Sequence, residues 1–305
     1  MQKILILGGG ISKERKISIQ TARQVNNVLK KSFKTSICEP DSNLIKKIKM
    51  FKPNVIFNAL HGRFGEDGYV QSILEKLRIK YTHSGVISSF IAMNKVLSKE
   101  IFIKNKILTP KFIKFNFNKD YLQPKILIKK IQINLKFPVV IKPINEGSSV
   151  DVHICTKKNL IRNLKKMKKY NEIIIEKYIG GREIQVAILG KKKLGAIELK
   201  PKRKFYDYTA KYSTKAKTKH IIPVNLEPKK LEEVLNLSLK AHNLLGCRGV
   251  TRSDFKFYKN KFYLLETNTQ PGMTKLSLVP EIAAYRGISF LKLLSWIIND
   301  ASINR

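Results

Sequence analysis

The chain has 305 residues, 43% of them hydrophobic, and sets 60 Lys and Arg against 22 Asp and Glu for a formal net charge of +38. That apolar fraction builds cores and excludes a disordered chain, and the length suffices for one large or two to three modest domains. The charge raises nucleic acid or an anionic membrane as partners, but the lysines are spread among Ile and Asn and no RNP, zinc-finger or KH pattern occurs, which leaves only non-specific polyanion binding at low salt.

Lys3 to Leu7 reads as a buried strand, and Gly8-Gly9-Gly10 with Glu14 follows it. The apolar run there is too short for a signal peptide, and no run elsewhere reaches membrane-spanning length. A helix is expected from about Ser18 to Lys31, with Ile19, Ala22, Val25 and Leu29 on one face. Strand, glycine turn and helix open a Rossmann-like α/β unit, but the pattern is not G-x-G-x-x-G, so dinucleotide binding has little support. Cys38, Cys155 and Cys247 are scattered without a C-x-x-C, which fits reduced thiols and a cytoplasmic protein.

Asn54 to Leu60 is the next buried strand, ending in His61-Gly62-Arg63-Phe64-Gly65-Glu66-Asp67-Gly68. Glycines and charges at a strand's C-terminal end mark a ligand loop in an open α/β sheet. A helix follows over Gly68 to Leu77, and Tyr81 to Gly85 reads as a boundary. The spacing then predicts one helical stretch from Val86 through Met93-Asn94-Lys95 to Lys104, broken by Thr109-Pro110.

Phe112 to Phe117 is strand-like, Tyr121 to Lys136 a basic amphipathic helix, and Phe137 to Pro143 a buried strand closing on Lys142. Asn145-Glu146-Gly147-Ser148-Ser149 is a small polar loop. A lysine beside a Gly/Ser loop clamps phosphates through backbone N–H groups and a point charge. It is not a Walker A loop, because the lysine precedes the glycine. Glu172 to Ile179 and Ile184 to Leu189 are strands flanking Gly180-Gly181-Arg182-Glu183. Arg203 to Lys219 has neither helical nor strand period and carries several aromatics and lysines, which reads as a lid. Glu227 to Gly246 and Ser289 to Ile298 are helices.

The richest segment lies between those two helices. Phe262 to Leu265 reads as a strand that runs into Glu266-Thr267-Asn268, and Arg252-Ser253-Asp254 opens its neighbour, Phe255 to Tyr258. Residues two apart on a strand share a face, so Glu266 and Asn268 point together. Their oxygens, with Asp254, suit a hard cation such as Mg²⁺. A two-residue turn at Lys259-Asn260 would pair Ser253 with Glu266 and separate the carboxylates, so an odd loop or a bulge is expected.

These segments, in this order, make the chain similar to the D-alanine–D-alanine ligase family of the ATP-grasp superfamily. The specific matches are Ala59 to Gly68, Met93-Asn94-Lys95, Ile141-Lys142-Pro143 with Glu146 to Val150, Phe205 to Tyr208 with Ala210-Lys211-Tyr212, and Leu265 to Asn268 with Pro271 to Thr274. The resemblance implies a three-domain α/β (α+β) ATP-grasp fold with an N-terminal Rossmann-like domain over 1–84, a central domain over 85–176 and a C-terminal domain over 177–305. It implies ATP, Mg²⁺ or Mn²⁺ as two ions, two D-alanines as substrates, and a homodimer.

Residue by residue, Lys95 and Lys142 resemble the lysines on the ATP phosphates. Glu176, Lys177 and Ile179 resemble the strand that meets adenine, and Glu183 the carboxylate on the ribose. Asp254, Glu266 and Asn268 resemble the metal ligands. Lys211, in the lid, is implied by the resemblance to reach the phosphates or substrate. Glu14, Ser148 and Tyr212 resemble a hydrogen-bonded set joining the first domain, the phosphate loop and the lid. His61 and Ser277 resemble substrate contacts, and Arg252 with the Gly272 backbone resembles the oxyanion site.

The implied reaction makes an acyl phosphate from one D-alanine, which the amine of the second attacks. The resemblance also implies an amine over a hydroxyl nucleophile, because the similar ligases that make D-alanyl-D-lactate lack the tyrosine that stands here as Tyr212. Two residues depart from the family. Asp151 stands where glycine is usual and puts a negative charge near the phosphate loop, so Asp151→Gly is expected to leave activity equal or higher. Gln270 is expected to face solvent. The alternatives are another ATP-grasp carboxylate–amine or D-alanine–D-lactate ligase, and a degenerate ATP-grasp shell that binds polyanions.

Overall fold

The computed structural model describes residues 1–120, 123–148, 150–200 and 218–304. Their strands form three sheets. The first is parallel, in the order β2-β1-β3-β4, built from β1 (Lys3–Leu7), β2 (Lys34–Cys38), β3 (Val55–Asn58) and β4 (Lys80–Tyr81). Strands β1 and β3 are nearly continuous apolar runs because helices cover both faces, as parallel sheets require. Helix α1 (Arg15–Leu29) buries Ser18, Thr21, Ala22, Val25 and Leu29. A Cβ on Gly8 would stand 2.3 Å from that of Ala22, so glycine there lets helix and strand end meet. Helices α2 (Leu44–Phe51) and α3 (Tyr69–Lys76) complete this part.

Helices α4 (Val86–Met93) and α5 (Lys95–Lys104) replace the single helix expected from the spacing. Asn94 is extended, with φ −82° and ψ 103°, and its side chain accepts from the N–H groups of Val96 and Leu97. It acts as an N-cap, the position Asn prefers, and restarts the helix with Lys95 at its first turn.

The second sheet is antiparallel, in the order β5-β8-β6-β7, and comprises β5 (Phe112–Asn116), β6 (Val139–Pro143), β7 (His153–Cys155) and β8 (Glu172–Lys177). Helices α6 (Pro124–Asn134) and α7 (Leu160–Met167) close its core around Ile131, Ile141, Met167 and Ile175.

The third sheet runs β11-β10-β9-β12-β13, all antiparallel: β9 (Arg182–Leu189), β10 (Lys192–Lys200), β11 (Lys219–Ile221), β12 (Val250–Tyr258) and β13 (Lys261–Asn268). Helix α8 (Pro228–Leu244) packs Val234 and Ala241 on one face with Ile184 and Phe255, and Phe102 of α5 joins that core. Helices α9 (Leu278–Tyr285) and α10 (Phe290–Asn299) cover the other face, where Ile282 and Leu293 share a core with Ile4, Ile6 and Phe57. The first and third sheets are thus joined by one continuous apolar layer.

All three cysteines are buried free thiols. Among the described residues no helix is long and apolar enough to cross a membrane.

Candidate active site

The hairpin of β12 and β13 resolves the register question. Its turn has two residues, Lys259 and Asn260, with φ 47° and 59°, the left-handed pair of a type I′ turn. A bulge at Leu265 then inserts one residue, so Asp254 pairs with Glu266 and Arg252 with Asn268. The carboxylates therefore stand side by side, as the bulge alternative required. Without the bulge, every residue beyond it would swap faces.

Asp254 is 3% exposed. Two neighbouring carboxylates repel, so positive charge must sit close by. Arg252 supplies it as a fork, with Nε 2.7 Å from Asp254 Oδ1 and Nη2 3.0 Å from Oδ2. Lys95 Nζ lies 3.5 Å from Glu266 Oε2 and donates to the Glu146 carbonyl at 2.6 Å. Burial pulls the Lys95 pKa below its ordinary value, and Glu266 opposes that shift. Asn268 Nδ2 donates to the Arg252 carbonyl at 3.4 Å, so its Oδ1 remains an acceptor. Among the described residues no three His, Cys, Asp or Glu side chains cluster as metal ligands. The set here is two carboxylates and one amide, all oxygen donors, and that chemistry fits Mg²⁺.

An open cleft separates this hairpin from the second sheet. Lys142 and Glu176 face it from β6 and β8, and Glu183 and Lys256 from β9 and β12. Lys142 Nζ stands 2.9 Å from Glu176 Oε2, and Lys99 Nζ 3.1 Å from Oε1. Burial alone would raise the Glu176 pKa, but Lys142 and Lys99 outweigh it and hold it below the usual range. The Lys99 ammonium, fully buried on α5, is pushed down to about 8 by desolvation despite Glu176. It also donates to Thr109 Oγ1 at 2.5 Å. Lys256 Nζ donates to Glu183 Oε2 at 2.9 Å. Lys177 and Ile179 lie on the same wall.

The first sheet contributes the loops that follow β1 and β3. Ser12 Oγ donates to the His61 carbonyl at 2.6 Å and accepts from the Glu14 N–H at 3.1 Å, tying the two loops together. Glu14 is 7% exposed and accepts from Ser148 Oγ across the gap to the second sheet. A Cβ on Gly62 or Gly147 would come within 2.8 or 2.9 Å of Glu14 Oε2, so both glycines make room for that carboxylate. His61 sits between Thr21 Oγ1 at 3.0 Å and Glu66 Oε1 at 3.2 Å. Burial opposes a charge on its ring, and Glu66 outweighs burial, so its pKa lies above the ordinary value.

Ser277 caps the loop after β13. Its Oγ accepts from the Thr274 N–H at 3.0 Å, and a Cβ on Gly272 would lie 2.9 Å from that oxygen. Gln270 contradicts the solvent-facing expectation. It is 3% exposed, and its Nε2 donates to the Leu60 carbonyl, because the chain leaving β13 passes beneath the His61 loop. Residues 203–217 of the expected lid, Lys211 and Tyr212 among them, lie outside the described residues, while Lys219, its expected last residue, instead opens β11. Lys99 and Lys256 were not singled out in the sequence, and Glu146 was read only as part of the Gly/Ser loop. For Lys99 the one available signal was its place four residues after Lys95, on the same helix face.

A family model described as the D-alanine–D-alanine ligase C-terminus matches residues 101–299. The D-alanine–D-alanine ligase of Pelagibacter ubique (strain HTCC1062) is 65% identical over 305 residues, 100% of this chain and 99% of that protein. That of Wolbachia pipientis wMel is 42% identical over 98% of this chain and 94% of its own. A crystal structure of D-alanine–D-alanine ligase from Bacillus anthracis superposes with TM-score 0.86 at 36% identity, covering 98% of this chain and 97% of that one. A structure of the Bacillus anthracis ligase complexed with ATP gives 0.84 at 32% identity. Matches that run the full length of both chains cannot come from one shared module, and so this chain belongs to the D-alanine–D-alanine ligase family.

Proposed function

We propose that the chain joins two D-alanines into D-alanyl-D-alanine, through D-alanyl phosphate, with release of ADP and phosphate, to supply peptidoglycan precursor synthesis. The observation that carries this reading is the direct pairing of Asp254 with Glu266 opposite Lys95 and Lys142, in a chain 65% identical to a relative of that name.

A carboxylate is a poor electrophile, so the first D-alanine is activated by the γ-phosphoryl of ATP. Lys95 and Lys142 bind the phosphates, Glu183 the ribose, and the strand through Glu176, Lys177 and Ile179 the base. Because Glu176 already carries two lysines, the base falls to the backbone and apolar side chains of that strand. Asp254, Glu266 and Asn268 would hold two Mg²⁺ or Mn²⁺ ions, which when bound neutralise charge on the transferring phosphoryl group. The second amine then attacks the acyl phosphate. Arg252 and the Gly272 N–H hold the developing oxyanion, a donor pair of which each member typically contributes about 2.7–4 kcal/mol. His61 and Ser277 bind substrate. Glu14, Ser148 and Tyr212 join the loops that shut water out, and Lys211 reaches the phosphates from the lid.

We assign residues 1–84 to amino-acid binding and 85–176 with 177–305 to clasping ATP, in a cytoplasmic enzyme. Tyr69, Ile87 and Phe90, apolar and more than half exposed, suit a homodimer face; a monomer in sedimentation would remove that part of the reading.

The test supplies purified protein with ATP and Mg²⁺, offers D-alanine, L-alanine or D-alanine with D-lactate, and identifies products by mass. D-alanyl-D-alanine forms from the D isomer alone, and Glu266→Gln lowers its rate by about a hundredfold or more. A folded, ATP-binding protein that makes no dipeptide would sink the activity and leave the fold standing.

A further inference from the structure

The loop between β6 and β7 carries Ser148 and ends at Asp151. Asp151 adopts φ 54°, the left-handed conformation that glycine takes freely and Asp tolerates. The loop therefore keeps a glycine's backbone path while gaining a carboxylate. One oxygen of that carboxylate, Oδ2, meets three donors. Lys169 Nζ lies at 2.8 Å, Lys13 Nζ at 3.4 Å, and the Tyr170 hydroxyl donates to it as well. Lys13 Nζ also donates to Tyr170 Oη at 2.9 Å. Both ammonium groups lie against the Tyr170 ring, 5.4 and 5.3 Å from its centroid.

These residues come from three places. Lys13 belongs to the glycine loop after β1 and is the immediate neighbour of Glu14. Asp151 lies three residues after Ser148. Lys169 and Tyr170 precede β8, and Tyr170 packs on the second sheet's core. The Lys13–Asp151 contact thus runs beside the Glu14–Ser148 hydrogen bond and joins the same two loops.

We propose that Asp151 is a positioning residue: with Lys13, Lys169 and Tyr170 it forms a latch that holds the phosphate loop of the second sheet against the glycine loop of the first. This reverses the expectation drawn from the sequence, in which the carboxylate only burdens the loop. It rests on the ligase reading for its consequence, since a loosened loop admits water to an acyl phosphate. Burial opposes the Asp151 charge, but Lys169 and Tyr170 outweigh it and hold its pKa down at about 2. The latch is therefore set at every physiological pH.

Two variants test it. Lys13→Met removes an exposed ammonium remote in sequence from the loop, and Asp151→Asn removes the charge with shape and backbone preference retained. Amide hydrogen exchange across 145–151 is expected to speed up about two- to fivefold in Lys13→Met, the range an exposed pair supports. In Asp151→Asn the KM for ATP rises by a similar factor, and phosphate released per dipeptide formed climbs above the wild-type ratio. Loss of fold stability alone would lower the melting temperature without moving that ratio. Unchanged loop exchange in Lys13→Met overturns the latch, and so does an Asp151→Asn protein with wild-type KM and ratio. Should Asp151→Asn fail to fold, Lys13→Met decides. Should the wild type make no dipeptide, the ligase reading fails, and the exchange rates still judge the latch.

Discussion

Glu176 and Asp151 are both carboxylates set between two lysines, and they differ in solvent. The Glu176 side chain is 3% exposed, with Lys99 at 0% and Lys142 at 9%. The Asp151 side chain is 27% exposed, with Lys13 at 53% and Lys169 at 56%. In the first place the charges have lost their water, so each depends on the others and none is removed cheaply. In the second, water and salt stand ready to replace any partner. The same chemistry therefore makes a rigid floor under the cleft and a soft clasp at its rim.

Breaking the floor has the largest effect. Glu176→Ala takes from two buried ammonium groups the carboxylate that both contact, and loss of one partner from a buried ion pair typically costs about 3–5 kcal/mol. Urea unfolding with an unchanged slope measures it. A loss near that of a surface substitution would mean that the two lysines reach water or other acceptors, and the contrast with Asp151 would collapse.

Titration sharpens the comparison next. The Lys99 pKa is about 8 in the fold, below the ordinary lysine value of 10.5 that holds in the unfolded chain. Between those values the unfolded chain binds more protons than the native one, so stability from this group rises with pH across the window. Below pH 8 the full cost of the buried charge is present. The difference in unfolding free energy between wild type and Lys99→Met should therefore grow in favour of wild type from pH 8 to 10. A difference flat with pH would show that Lys99 does not titrate there. Asp151, held at about 2, should contribute nothing to the same scan.

The hairpin and the floor beneath the cleft differ in how far the sequence discloses them. The hairpin was readable because a two-residue period puts Glu266 and Asn268 on one face, and because the need to bring Asp254 alongside forces an odd loop or a bulge. The structure meets that need with the bulge at Leu265. Lys99 was opaque, because one lysine in a lysine-rich helix looks like any solvated one. Its burial comes from β8 and the Leu264 region closing over α5, contacts distant in sequence. Gln270 was misread for the same reason, since its partner, Leu60, is 210 residues away. Strand β2, Lys34–Cys38, has the burial pattern of a half-exposed edge and no apolar run to announce it. Helix α9 hides behind Pro280, which sits in its first turn, where its missing N–H does no harm. Local patterns carried the strands and the ligand set, while tertiary closure chose the partners.

The smallest effect belongs to the clasp itself. A double-mutant cycle of Lys13→Met and Asp151→Asn, read by unfolding, should give a coupling of about 0.2–1 kcal/mol at low salt, as exposed pairs do. Screening shortens to roughly 3 Å at 1 M salt, comparable to the pair's own separation, so the coupling should then largely vanish. The cost of Glu176→Ala should hardly move over the same series, because buried charges are screened much less. A Lys13–Asp151 coupling that persists at 1 M salt would mean that the Tyr170 hydroxyl and ring, and not charge, hold the two loops together, and Tyr170→Phe would then be the change that frees them.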